Sequence, residues 1–270
     1  MKIQPGQVAV ITGGASGIGH GLAEALVARD VHVVLSDVRA EAVTTAAGAL
    51  GVGRARVVPV VTDVTDPHSV DQLAERTLAE FGRVDLVCNN AGVVCPDAPC
   101  GSRRWTRTLD LKVLGVVHGV RAFAPHLIRQ GHGHFLTTAS SGGLAPLPGR
   151  TPYTGTMHAV VGLTETLEAE LRTAWPDVGA TVLCPGLVDT PIGPNSAALG
   201  AIELPPGMGP AAMRKLAAAH GGTLSPRQVA ESALEAVEAD RVHVAPGGGV
   251  YERAEARVTA LLADIAQDRR

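Results

Sequence analysis

The chain has 270 residues, 46% of them apolar, and a formal net charge of −3 at pH 7. This length suits one α/β domain with a large core, and the near-neutral charge excludes the strongly basic surface of nucleic-acid-binding and membrane-surface proteins. A strand-like segment begins a few residues after Met1, so we expect no signal peptide, and we expect no membrane-spanning run. The composition therefore predicts a cytoplasmic protein that binds neither nucleic acid nor membrane.

The first predicted strand, Val8–Ile11, leads into a glycine-rich turn, TGGASGIG at Thr12–Gly19, and then into a helical pattern at Leu22–Val27. Glycines have no Cβ and allow a tight turn and a close backbone approach, while a helix N-terminus presents free N–H groups to an anion. The turn is therefore predicted to hold the pyrophosphate of a dinucleotide. The glycine pattern alone leaves an ordinary strand-to-helix turn open as the alternative.

The second predicted strand, Val31–Ser36, is followed directly by Asp37. A carboxylate about 20 residues beyond such a turn accepts hydrogen bonds from adenosine ribose hydroxyls and repels a 2′-phosphate. Asp37 therefore predicts NAD in preference to NADP. Arg39 is close enough to meet a 2′-phosphate if its side chain turns inward, but a solvated arginine at the start of the next helix is the favoured interpretation.

Further strand-like runs alternate with helical segments along the rest of the chain. The remaining predicted strands are Arg56–Val61, Leu86–Asn89, His134–Thr138, Thr181–Cys184 and Val242–Ala245. Strands that alternate with helices form parallel sheets through right-handed crossovers. We predict an α/β fold in which residues 1–270 form one domain, a doubly wound, Rossmann-type parallel sheet of about seven strands with helices on both faces.

Two segments stand outside this alternation. Residues 190–222 are rich in proline, glycine and alanine and follow the strand at Thr181–Cys184. Because ligands bind beyond the carboxyl ends of strands in such sheets, we expect a substrate lid there rather than a mobile surface connection. Residues 251–265 are predicted to form a C-terminal helix, apolar along one side, that docks at a subunit interface or on its own domain.

The cysteines and histidines give no sign of a disulfide framework or a metal site. The chain has four cysteines, Cys88, Cys95, Cys100 and Cys184. They form no CxxC pair, as expected of reduced thiols, and a Cys95–Cys100 disulfide is the disfavoured alternative. The pair His132 and His134 has glycine neighbours and no carboxylate or cysteine at ligand spacing, so a turn is favoured over a metal site.

Four motifs occur along the chain: TGGASGIG at Thr12–Gly19, Asp63-Val64, Asn89-Asn90-Ala91-Gly92 and Cys184-Pro185-Gly186-Leu187-Val188-Asp189-Thr190. Together they resemble the motifs of the classical short-chain dehydrogenases/reductases. The resemblance runs from Gly6 to about Gly247 and implies an NAD-binding dehydrogenase that forms homodimers or homotetramers. It also implies an adenine contact at Asp63 and a contact of Thr190 with the nicotinamide carboxamide. The cofactor-binding residues predicted in this way are Thr12, Gly13, Ser16, Gly17, Ile18, Gly19, Asp37, Asp63, Val64, Asn90, Ala91, Gly92, Pro185, Gly186, Val188 and Thr190.

The same resemblance implies an Asn-Ser-Tyr-Lys catalytic tetrad, of which this chain keeps the serine and the tyrosine. Ser140 lies thirteen residues before Tyr153, the usual separation in the family. The tyrosine would act as general acid toward a carbonyl oxygen or as base toward an alcohol, while the serine hydroxyl orients that oxygen. Ser141 is the alternative for the serine.

The other two tetrad positions are changed. Met157 stands where the family has lysine, and Lys112 stands where it has asparagine. A thioether can neither hydrogen-bond the nicotinamide ribose nor lower the pKa of the tyrosine, as the family's ammonium group does. The paired changes suggest that Lys112 brings its ammonium to the same tyrosine, which we call the swapped-lysine hypothesis. In the alternative, the Lys112 side chain points away from Tyr153 and Met157 only packs in the core. His158 is adjacent to Met157 but is expected to face away from the tyrosine.

Three functions follow from these residues. The leading one is an NAD-dependent oxidoreductase with Ser140, Tyr153 and Lys112 as catalytic residues. The second is an NAD-binding protein of the same fold without redox activity, with a regulatory or scaffold role. The third is a non-redox enzyme that uses the Ser-Tyr pair, and Asp37 argues against it because such a site needs no full dinucleotide.

A hydrophobic alcohol or ketone is the predicted substrate, because the lid side chains are apolar. Those side chains are Ala197, Ala198, Leu199, Ile202, Leu204, Met208 and Met213. The alternative is that they pack against the protein itself. The opposite wall of the site is expected at residues 93–102, with Cys95, Pro96 and Cys100 shaping specificity.

Overall fold

Seven parallel strands form one sheet in the order β3-β2-β1-β4-β5-β6-β7. The computed structural model describes residues 1–51, 53–94, 102–200 and 222–268. The strands are β1 (Val8–Thr12), β2 (His32–Asp37), β3 (Val57–Val61), β4 (Leu86–Asn89), β5 (Gly133–Thr138), β6 (Val178–Leu183) and β7 (His243–Val244). The strand order reverses between β1 and β4, which is where doubly wound sheets bind ligands. The predicted α/β architecture is confirmed.

Helices cover both faces of the sheet. The helices in the described ranges are α1 (Gly17–Val27), α2 (Ala40–Leu50), α3 (Pro67–Phe81), α4 (Ser102–Leu109), α5 (Gly115–Gln130), α6 (Thr151–Ala174), α7 (Ile192–Ala198), α8 (Pro226–Glu238) and α9 (Val250–Ala266). On one face, α1, α2 and α8 bury side chains such as Leu26 and Leu234. On the other, α3, α5 and α6 bury side chains such as Phe123 and Leu171. The two apolar layers hold the strand ends rigidly, which fixes the loops that follow them.

Strand β6 begins at Val178, earlier than the predicted start at Thr181. Its first residues pair with β5, with Gly179 opposite His134 and Ala180 opposite Phe135. Glycine and alanine have low β propensity, so the residue pattern did not predict this extension.

One helical run, Trp105–Gln130, is long and apolar enough to cross a membrane by length and composition. We expected no such run from the sequence, and by this criterion that expectation is wrong. Its side chains Val116, Phe123 and Leu127 are buried in the protein, and a core helix of a soluble protein meets the same criterion. The run therefore supports no membrane assignment.

The two segments outside the alternation are described to different extents. The predicted lid contains α7, whereas Ile202, Leu204, Met208 and Met213 lie outside the described residues. Cys95, Pro96 and Cys100 of the opposite wall also lie outside them, and with them the alternative disulfide. The predicted terminal helix is observed as α9.

Candidate active site

A cavity of about 1490 Å³ lies beyond the carboxyl ends of the strands. It extends from the glycine turn after β1 to Tyr153 at the start of α6. Pockets for single small ligands usually measure about 300–1,000 Å³, so this cavity has room for a larger ligand or for two. In the described ranges, no three His, Cys, Asp or Glu side chains come together as a metal site.

The glycine turn between β1 and α1 has a backbone that only glycine adopts readily. Gly13 and Gly17 have φ angles of 63° and 57°, in the left-handed region. A Cβ at Gly13 would lie 2.8 Å from the Cα of Ala91, and one at Gly17 would lie 3.2 Å from the Cβ of Thr190. Ser16 makes no side-chain cap to α1, which leaves the first N–H groups of the helix free for an anion. The turn thus fits a pyrophosphate.

The loop after β4 is hydrogen-bonded to the glycine turn. The Thr12 hydroxyl accepts from the backbone N–H of Asn90 at 3.0 Å and of Ala91 at 3.1 Å. The Asn90 amide donates to the Thr12 carbonyl at 3.0 Å, and its Oδ1 accepts from the Thr138 hydroxyl at 3.1 Å. These bonds tie the ends of β1, β4 and β5 together. Asn90 therefore lines the cavity and also connects the strand ends that form its wall.

Asp37 is buried at the end of β2 and accepts several hydrogen bonds. It accepts from the Ala15 N–H at 3.2 Å and from the Arg39 N–H and Nε, each at 3.1 Å. The Arg39 side chain, which the sequence favoured as solvated, is instead turned onto Asp37, and its Nη2 also donates to the Ser16 hydroxyl at 3.3 Å. The site predicted to select NAD therefore contains a carboxylate and a guanidinium in contact.

Asp63 and Val64 line the cavity after β3. The Asp63 carboxylate is exposed and accepts from the Thr65 N–H at 2.9 Å and the Thr65 hydroxyl at 2.7 Å. Val64 is buried, and its carbonyl is 2.9 Å from Nδ1 of His118 on α5. The Asp63 carboxylate, held by Thr65, is thus a hydrogen-bond acceptor that lies next to the apolar side chain of Val64 in the cavity wall.

The start of the predicted lid is attached to both sides of the cavity. The Asn195 amide donates to the Ser16 hydroxyl at 2.9 Å, and the Ser196 hydroxyl accepts from the Val94 N–H at 3.0 Å. Neither residue was singled out from the sequence, because a polar side chain in a short alanine-rich helix gives no sign of a distant partner. Thr190, which precedes α7, contacts the glycine turn at Gly17.

The segment after β6 joins the catalytic side of the cavity to the sheet. The Pro185 carbonyl accepts from the Ser141 N–H at 2.9 Å, and the Gly186 N–H donates to the Pro246 carbonyl at 2.8 Å. Val188 forms an isolated parallel bridge with Leu224. Pro185, Gly186, Val188 and Thr190 all line the cavity.

Ser140 and Tyr153 meet at the far end of the cavity. The Ser140 hydroxyl accepts from the Gly142 N–H at 3.2 Å and lies close enough to Tyr153 to affect the pKa of its phenol. Burial raises the pKa of Tyr153, while the Ser140 hydroxyl and the nearby Arg150 charge lower it. Ser140 and Tyr153 thus lie next to each other in the cavity wall, and the Ser141 backbone N–H donates to the Pro185 carbonyl.

Met157 lies one helical turn after Tyr153 and is fully buried. It packs among apolar side chains that include Val116, Val160 and Cys184. Met157 therefore places a packed thioether where the family resemblance implies a lysine ammonium. His158 is turned away, with Nδ1 2.9 Å from the Thr154 carbonyl.

Lys112 lies in a π-helical turn, Asp110–Leu114, between α4 and α5. Such turns insert an extra residue and often mark functional sites. The side chain is 5% exposed and lines the cavity, and a Cβ at Gly92 would collide with its Nζ. Burial lowers the pKa of Lys112 to about 8. Within the described part of the chain its ammonium has no acidic or hydrogen-bonding partner.

One family model and several known proteins are similar to the chain. The model, described as short chain dehydrogenase, matches residues 7–198. A 1-deoxy-11-beta-hydroxypentalenate dehydrogenase from Streptomyces avermitilis is 37% identical over 200 residues, which are 71% of this chain and 72% of the relative. A short chain dehydrogenase/reductase from Burkholderia phymatum, solved in complex with NAD, has a TM-score of 0.85 and 34% identity, covering 100% of this chain and 98% of that one. An alcohol dehydrogenase from Thermococcus sibiricus, complexed with 5-hydroxy-NADP, has a TM-score of 0.74 and 27% identity, covering 90% and 97%.

Proposed function

Because the chain belongs to the short-chain dehydrogenase family, we propose that it is an NAD-dependent oxidoreductase that interconverts a hydrophobic alcohol and the corresponding ketone. One observation carries the proposal: a continuous cavity is lined by the glycine turn, by Asp37 and by the Ser140–Tyr153 pair. A binding site for a dinucleotide and an acid–base pair for a carbonyl oxygen thus share one space.

In this proposal the Thr12–Gly19 turn holds the cofactor pyrophosphate and Asp37 accepts from the adenosine ribose. Asp63-Val64 lies beside the adenine, while residues 90–92 and 185–190 hold the nicotinamide half. The uncapped helix and the crowded Gly13 support this assignment, since a larger residue there would fill the cradle. When bound, the nicotinamide supplies or accepts the hydride.

Tyr153 is proposed to move the proton. Its phenol donates to the carbonyl oxygen during reduction, and its phenolate accepts the alcohol proton during oxidation. The Ser140 hydroxyl orients that oxygen by a second hydrogen bond. Because burial raises the pKa of Tyr153, the phenol is the dominant form at neutral pH, which favours ketone reduction there.

Lys112 is proposed to supply the cation that is missing at Met157. Its ammonium is buried, lines the same cavity as Tyr153 and has no partner among the described residues. A buried cation without a counter-charge is costly, and such a cost is typical of functional sites. We assign Lys112 the roles of hydrogen-bonding the nicotinamide ribose and favouring the Tyr153 phenolate.

The substrate class is proposed from the apolar part of the cavity lining. The apolar side chains that line the cavity include Val94, Leu147, Leu187, Ile192 and Leu199. The similar dehydrogenase from Streptomyces avermitilis is named for a hydroxylated substrate. Both observations support a hydrophobic alcohol or ketone.

The experiment that tests the function follows NADH consumption at 340 nm with a panel of cyclic and long-chain ketones. We expect turnover with hydrophobic ketones and none with sugar phosphates. Tight NADH binding without turnover of any panel member would contradict the proposal and would support the alternative, a cofactor-binding protein with a regulatory or scaffold role.

Cofactor choice gives a separate prediction. Asp37→Ser is expected to lower the ratio of kcat/KM with NADH to that with NADPH by about 10- to 100-fold, because it removes a charged acceptor and frees Arg39 for a 2′-phosphate. Asp71→Ser is the matched control, since Asp71 is an exposed carboxylate that pairs with Arg121 outside the cavity. An unchanged ratio in Asp37→Ser would contradict the NAD preference.

Assembly and location are also proposals. The family relationship supports a homodimer or homotetramer that works in the cytoplasm. Neither proposal requires a membrane or a nucleic acid as partner.

A further inference from the structure

The terminal helix α9 leaves the protein body after its first turn. Val250 is buried and Ala254 is half-buried, but every residue from Glu255 to Ala266 is exposed. The exposed side chains include Val258, Leu261, Leu262 and Ile265, with Leu262 60% exposed. An isolated helix of this length is marginally stable in water. This part of α9 packs against none of the described residues. We therefore expect its apolar face to bind an external partner.

Five of the apolar residues of α9 recur at alternating spacings of three and four: Tyr251, Ala254, Val258, Leu261 and Ile265. Leu262 is adjacent to this row. This repeat, apolar at the a and d positions of a heptad, forms the narrow seam that one coiled-coil helix presents to another. Over its length α9 carries the acids Glu252, Glu255 and Asp264, the arginines Arg253 and Arg257, and no lysine. A helix that binds anionic lipid has a polar face rich in basic residues, so the charges of α9 favour a protein partner.

Charge complementarity identifies that partner as a second copy of the chain. In an antiparallel pair, Val258 packs against the partner's Leu261. The same register places Arg257 beside the partner's Asp264, and two-fold symmetry repeats this ion pair at the other end of the seam. In a parallel pair, Arg257 would instead lie beside the partner's Leu262, with no opposite charge.

We propose that α9 is a dimerisation helix that pairs antiparallel with α9 of a second copy of this chain. The 17-residue helix is about 26 Å long, so the two protein bodies lie at opposite ends of the helix pair. The pairing buries the a/d seam of both copies and satisfies Arg257 and Asp264 across it. The inference does not depend on the redox function.

Sedimentation velocity of the full chain tests the proposal. Leu261→Glu is expected to halve the mass of the assembly, from dimer to monomer or from tetramer to dimer, because it places a carboxylate in the seam. Ala263→Glu, on the outer face of the same helix, is the matched control and is expected to keep the wild-type mass. Both positions are exposed, so the melting temperature of each variant checks that the body folds normally.

A charge reversal tests the antiparallel register. Arg257→Asp alone is expected to weaken association about tenfold, and Arg257→Asp combined with Asp264→Arg is expected to restore it. Wild-type mass in Leu261→Glu would overturn the proposal, as would absence of rescue in the double variant. Co-sedimentation of the wild type with phosphatidylglycerol vesicles, lost in Leu261→Glu without a change of mass, would assign the face to lipid instead.

Discussion

Tyr153→Phe is expected to lower kcat/KM for NADH-dependent ketone reduction by about 10²- to 10⁴-fold, the range that a general acid contributes. The variant loses only the phenolic hydroxyl, so the Kd for NADH is expected to be unchanged. Steady-state kinetics and calorimetric titration with NADH measure the two quantities. Tyr251→Phe is a matched control, because Tyr251 is the other tyrosine of the chain and lies exposed on α9, bonded to Glu255.

The pH dependence gives the same prediction a second readout. Because burial raises the pKa of Tyr153, the phenolate is scarce at neutral pH. Alcohol oxidation should therefore accelerate as the pH rises through the alkaline range, and ketone reduction should slow. A loss of less than tenfold in Tyr153→Phe, or an oxidation rate independent of pH, would show that another group transfers the proton.

Lys112→Met is expected to lower activity and to raise stability. Removing the cation should decrease kcat/KM by about 10- to 100-fold, because one charge-assisted hydrogen bond to the ribose is lost and the phenolate loses support. Burial lowers the pKa of Lys112 from 10.5 to about 8. The charged Lys112 therefore destabilises the folded state relative to the unfolded chain, and this penalty is complete below about pH 8. The free energy of unfolding at pH 7 is therefore expected to rise by at most ~3 kcal/mol.

The pH dependence of the free energy of unfolding tests whether Lys112→Met raises stability for this reason. In the wild type the unfolded chain binds more protons than the folded chain between about pH 8 and 10.5, so the penalty from Lys112 shrinks as pH rises through that window. The stability gain of Lys112→Met should shrink with it. Urea unfolding at pH 7 and pH 10 measures the change, and Lys2→Ala, an exposed lysine that bonds the Glu238 carbonyl, is the control. Wild-type kcat/KM in Lys112→Met would contradict the assigned role.

Local signals in the sequence predicted the sheet and the residues that line one end of the cavity. The glycines of Thr12–Gly19 and the acid at Asp37 act through the backbone beside them, so their spacing was enough to place both at one edge of the sheet. The Ser140–Tyr153 pair was predicted from the spacing in the family that the chain resembles, and both residues line the cavity. These features need no knowledge of distant contacts.

Contacts between distant segments could not be predicted in this way. The pairing of Asn195 with Ser16 joins α7 to the glycine turn across nearly the whole chain. The inward turn of Arg39 depends on Asp37 and Ser16 together. The π-helical turn that carries Lys112 depends on how the preceding helix packs, since its residues have no composition that distinguishes them from an α-helix.

The most direct test of the account is hydride transfer itself in the presence and absence of Lys112. Ketone is incubated with NADH that carries deuterium at both C4 positions of the nicotinamide, and mass spectrometry follows deuterium in the alcohol product for wild type, Lys112→Met and Met157→Lys. We expect labelled alcohol from the wild type and a rate at least about tenfold lower in Lys112→Met. Labelled product at the wild-type rate in Lys112→Met, or product that appears only in Met157→Lys, would contradict this expectation.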